Sequence, residues 1–191
     1  MLNELLLSFA LWLDSFVWST AIHESFYLYA WIESTHVLAI MIFLGMLFII
    51  DLRILGLSFS QVPAAKIAEQ LDKPMMIGFT VMVITGLLLF FAIPVRSIQS
   101  IWFRIKVVLL IAAGINAFLF RHKMKEVRRD GKEKAEPSKR LRTGAVISLF
   151  LWMGVVMSGR AIAYDWFDCH KDLSFAMYWM AGCVDEMALL E

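Results

Sequence analysis

The sequence predicts an all-α polytopic membrane protein built on a four-helix bundle, and three observations carry that prediction. Of the 191 residues, 60% are apolar, and the mean hydropathy is +0.71. Four separate apolar runs each approach the ~20 residues that a helix needs to cross a bilayer. Charge is segregated between them. Ten of the 18 Lys and Arg fall between Arg121 and Arg142, whereas the stretch from Tyr164 to Glu191 holds six acids against Lys171 alone.

The elements follow in order. Residues 1–20 are apolar but interrupted by Asn3, Glu4, Asp14 and Ser15, with Trp12 and Trp18 suited to an interface. They predict an amphipathic helix lying on the membrane, with a true span as the lesser alternative. The first 18 residues lack a basic stretch and a small-residue cleavage site, so no cleavable signal peptide is expected. The transmembrane domain is expected over 21–164, with spans at 26–50, 75–95, 101–120 and 143–164. Asp51-Leu52-Arg53 is read as the surface end of span one. Pro63 opens a short helix whose apolar stripe is Ala64, Ile67, Ala68 and Leu71, and Pro74 stands at the mouth of span two. A tight turn is expected at 96–100. Residues 165–191 form an acidic, aromatic tail whose apolar part, 173–184, is too short to span and suits a capping or interfacial helix.

A basic segment between two spans is a topological signal before it is a nucleic-acid signal. With 121–142 cytoplasmic, both termini lie on the periplasmic side of a bacterial inner membrane. No nucleic-acid partner is expected. The expected partners are the lipid bilayer and subunits that dock on the N-terminal helix and the tail. Cys169 and Cys183 both fall in that tail, and their spacing alone does not decide whether they pair.

Within span one, Glu33 and His36 stand one helical turn apart. A charged group near the bilayer centre costs ~2.5–3.5 kcal/mol on insertion scales, so such residues usually face a cavity, a partner or a cofactor. At ~1.5 Å per residue, Lys106 and Arg160 enter from the same side, with Met157 and Met153 deeper than Arg160 and Thr85 near the level of His36. The outer half is thus expected to gather Glu33, His36, Lys106 and Arg160, while Asn116 stands alone in the inner half. The structural alternative is internal neutralisation, with Lys106 and Arg160 reaching for the surface.

Three chemistries compete for this cluster. A haem b would take His36 as axial ligand, with Lys106 or Arg160 near its propionates and Met157 or Met153 as the second ligand. No second histidine stands in the spans, and His23, expected on another face from His36, and His170 are weaker metal candidates. A quinone or anionic ligand would need only an imidazole or carboxylate donor in an apolar cleft, which His36 and Glu33 supply. A di-iron site would need a second Glu-x-x-His motif, which is absent. Gly45, Gly86, Gly114 and Gly154 put one glycine in each span, for close packing or for a flat ligand.

His36, Gly45, Asp51-Leu52-Arg53-Ile54-Leu55-Gly56 and Ser158-Gly159-Arg160-Ala161-Ile162-Ala163-Tyr164 resemble a family of small bacterial integral-membrane proteins of unknown function. The resemblance covers about 26–164. It implies a four-helix membrane domain with polar residues at His36, Asp51, Arg53, Lys106 and Arg160. The layout is more loosely similar to cytochrome b-type bundles, from which the missing second histidine departs. The expected function is a membrane subunit of an electron-transfer assembly that holds haem b or quinone at His36. The alternative is a non-catalytic anchor or assembly subunit whose polar cluster serves helix packing. A transporter is disfavoured by the short chain and the lack of repeats.

Overall fold

A computed structural model describes residues 2–59, 61–129, 137–164, 169 and 174–183. Among them every regular element is a helix: α1 (Leu2–Asp14), α2 (Val17–Glu24), α3 (Phe26–Leu55), α4 (Ala64–Ala92), α5 (Pro94–Ile98), α6 (Ile101–Arg129), α7 (Lys139–Ala163) and α8 (Phe175–Ala181). Four helices are long and apolar enough to cross a membrane: α3, α4, α6 as far as Met124, and α7. His170 lies outside the described residues, as do 165–168 of the tail and 130–136 of the basic segment.

The helix ends explain where these elements depart from the sequence reading. The amino-terminal stretch is two helices bent by 76°. Ser15 returns its hydroxyl to the Trp12 carbonyl, and Phe16 is extended, which breaks the helix there. Asp51 does not end α3. The stop is Gly56, at φ +79°, with Gly56 N–H donating to Arg53 O and Leu57 N–H to Leu52 O. This pair of bonds around a left-handed glycine is a Schellman stop, and it leaves Asp51 inside the helix. At α4 the short helix and span two fuse, because the chain stays helical through Pro74. Proline deletes one backbone bond there, at a cost of ~3 kcal/mol in a free helix. The predicted stripe Ala64, Ile67, Ala68 and Leu71 packs into a core cluster and holds the turn in place. Helix α6 runs past the apolar segment, where Glu126 pairs with His122 at 3.3 Å and with Lys123 at 2.7 Å. The Ser138 hydroxyl caps α7 by accepting from Leu141 N–H.

The chain divides into two compact units. One comprises Met1–His36, Ile84–Val108 and Val156–Glu191; the other comprises Val37–Val83 and Leu109–Val155. In the first, Leu7 and Ala10 of α1 are completely buried and α1 packs on α5. Ser19 of α2 donates to Phe91 O at 2.8 Å. Arg104 joins α6 to α1 through Asn3 Oδ1 at 3.0 Å and donates to Ile98 O. Cys169 and Cys183 form a disulfide with their Cα atoms 5.5 Å apart. Gly182 ends α8 at φ +72°, where any Cβ would fall on the Arg104 guanidinium. In the second unit, Ile50, Ile54, Ile67, Leu141 and Ala145 form a buried core. Phe43 adds an edge-on contact with Trp152 at 4.9 Å. Arg121 and Asp72 form an ion pair between α6 and α4.

Ile54 is completely buried whereas Phe118 is 71% exposed. Ile54→Ala should therefore cost about 2–5 kcal/mol of stability. Phe118→Ala should leave the thermal unfolding midpoint in detergent nearly unchanged, and both are read in the same melting experiment.

Candidate functional site

The imidazole of His36 on α3 meets α4 directly. His36 Nδ1 and Thr85 Oγ1 share a hydrogen bond of 2.9 Å, and Thr85 is only 8% exposed. The next residue of α4 completes the seat. A Cβ on Gly86 would stand 3.1 Å from His36 Cε1 and 3.7 Å from Nδ1, so the bare glycine backbone is what lets the ring lie this close. Anchoring one ring nitrogen fixes the orientation of the other. Which of the two groups donates depends on the ring tautomer, and either way the bond fixes the ring against α4.

The other expected members separate. Glu33 is exposed and acts electrostatically on Tyr29, as does Arg96 of α5. His23 of α2 stands edge-on to the same Tyr29, with ring centroids 6.3 Å apart. Tyr29 thus gathers Glu33, Arg96 and His23 at the start of α3, a grouping that sequence reading did not assign. Lys106 lies over α7, its Nζ 3.4 Å from where a Cβ on Gly159 would sit. Arg160 is exposed and turns along its own helix, donating from Nη2 to Tyr164 OH at 2.6 Å with its guanidinium 4.8 Å from that ring centre. Met157 is 62% exposed. Among the described residues, no ion pair joins Glu33, Lys106 and Arg160. Of the four glycines singled out by sequence, a Cβ on Gly86 would meet His36 and one on Gly154 would meet Leu109 at 3.0 Å, while one on Gly45 or Gly114 would meet no other side chain or helix among the described residues within 4 Å.

The larger surprise is Asp51, expected at a surface and found 2% exposed. The Ser148 hydroxyl of α7 donates to its carboxyl. Asn116, expected to stand alone, donates from Nδ2 to Gly144 O at 3.1 Å. The one signal that would have exposed Asp51 is Gly56, because a helix running to that glycine carries Asp51 onto the face of Ile54.

A model for a family of unknown function, DUF6644, matches residues 15–165. The chain belongs to this family. Among curated proteins and among solved structures, none matches the chain. The DUF6644 match takes in all four long helices together with Glu33, His36, Asp51, Lys106 and Arg160. It ends before Cys169 and His170.

Among the described residues, no three His, Cys, Asp or Glu converge to hold a metal ion. His36 is the one histidine in the apolar helices, since His122 lies in the polar extension of α6 and pairs with Glu126. A bis-histidine haem b does not fit these residues.

Thr85→Val keeps the shape of Thr85 but removes the bond to Nδ1. It should cost about 1 kcal/mol of stability and let the ring reorient, read as a change in the His36 nitrogen resonances. Gly86→Ala should move the same resonances by pushing the ring off α4.

Proposed function

We propose that this DUF6644 protein is the membrane subunit of an electron-transfer assembly and that it engages a quinone through His36. The observation that carries this reading is the His36–Thr85 bond seated against Gly86. Aligning and restraining one donor in an apolar wall is what recognition of a quinone carbonyl requires. His36 donates to the carbonyl oxygen and, as an imidazole, passes a proton at that atom. The apolar side chains of the helices around it exclude water. Lys106 and Arg160 add positive charge to the same unit of the fold, which favours an anionic form of the ligand.

The membrane is a bacterial inner membrane, with both termini on the periplasmic side. Two features support this orientation. The basic residues of α6 and α7 flank the segment between them, as expected for a cytoplasmic connection. The Cys169–Cys183 disulfide belongs to an oxidising compartment. A second reading, the non-catalytic anchor, is favoured by α1. Its Leu7 and Ala10 are buried, while Leu2, Leu5 and Trp12 on the opposite face are exposed and await lipid or a partner subunit.

Protein purified in mild detergent from native membranes should retain extractable quinone and show no Soret band. His36→Ala should lose the quinone but keep its helical content. Wild-type protein without quinone, or His36→Ala with undiminished quinone, would overturn this reading in favour of the anchor. A Soret band that vanishes in His36→Ala would replace quinone by haem. Orientation is tested separately. A membrane-impermeant maleimide added to intact spheroplasts should label Cys169 and Cys183 only after reduction. Labelling confined to everted vesicles would reverse the topology.

A further inference from the structure

We propose that Asp51 is a proton-binding site of the membrane domain, a carboxylic acid held between α3 and α7 with Ser148 as its hydrogen-bond partner. This inference is independent of the quinone reading and uses none of its residues.

The geometry leaves few other ways to satisfy the group. Asp51 is 2% exposed and Ser148 is 5% exposed. The Ser148 hydroxyl donates to the carboxyl, yet Oδ2 is buried with no partner among the described residues. Helical spacing puts Asp51 on the same face as Ile54, and Ser148 on the same face as Ala145 and Leu141. Those three apolar residues, with Ile50 and Ile67, form the buried core of this unit.

Among the described residues, the Ser148 hydroxyl is the only side chain found to act on the carboxyl, and no charged group does. Arg53 follows two positions later, which turns it off the Asp51 face, and its Nε donates to Val62 O at 2.5 Å. Among the described residues no ion pair reaches Asp51. From α4 and α7 the core presents Ile67, Leu141 and Ala145, none of them titratable.

An ionised carboxylate in such surroundings carries a full uncompensated charge, which is far more costly than a neutral O–H lacking an acceptor. A metal cation would cancel the charge, but hard cations take about six oxygen ligands, and Asp51 and Ser148 supply too few. A proton needs only Oδ2. With the proton on Oδ2, the other oxygen keeps the bond from Ser148. Gaining or losing that proton changes the charge of the membrane domain by one at a fixed position.

Infrared spectroscopy of the full-length protein in lipid nanodiscs at neutral pH tests the assignment. Wild type should show a carboxylic-acid carbonyl band that shifts in deuterium oxide and is absent from Asp51→Asn. Ser148→Ala should keep the band and move it. If Asp51→Asn does not fold, aspartate labelled with carbon-13 identifies the same band in the wild type. An Asp51 signal made only of carboxylate stretches would overturn the proposal. So would loss of the acid band when sodium chloride replaces choline chloride, because a metal ion would then be the ligand.

Discussion

A polar side chain carried into an apolar helix must find its partner within the protein, because hydrocarbon offers no hydrogen bonds. That constraint determines how the polar groups of this protein are arranged. His36 of α3 is met by Thr85 of α4, Asp51 of α3 by Ser148 of α7, and Asn116 of α6 by the Gly144 carbonyl of α7. Each bond ties two helices together at one register. Lipid tails are as apolar as the helix surfaces, so burial alone would not choose that register. These pairs add the directional part of the packing, and the candidate chemistry sits on two of them.

Glycine serves this arrangement in two different ways. Gly86 acts by absence of a side chain, admitting the His36 ring. Gly56 and Gly182 act through the backbone, at φ +79° and +72°, ending α3 and α8. The first stop keeps Asp51 within the helix. The second brings Cys183 to Cys169 while leaving room for Arg104, which in turn reaches Asn3 of α1. The carboxy-terminal segment is therefore closed on itself by a covalent link and packs closely on Arg104 of α6 at a residue without a side chain.

The four long helices were legible because hydropathy over about 20 residues depends on composition alone. Their ends were less legible. Pro74 and the Asp51-Leu52-Arg53 triplet look like boundaries locally, yet packing of Ile67 and Leu71 carries α4 through the first. The second lies before the true stop. Thr85 was placed near the level of His36, and the two side chains meet. The long side chain of Arg160 bends back to Tyr164, a contact that spacing permits but does not require. Tyr29 was missed because its neighbours Arg96 and His23 come from separate helices.

The sequence by itself determined the all-α class, the four apolar helices, the polar residues they carry and the segregation of charge at their ends. These properties follow from composition and periodicity, which act over one turn or one helix length. Only the tertiary structure decided that His36 answers Thr85 across a glycine, that Asp51 is interior and that Cys169 pairs with Cys183. The first two depend on the rotation of one helix against another. That rotation is chosen by the sum of close contacts and hydrogen bonds between residues far apart in the chain, which no local pattern encodes.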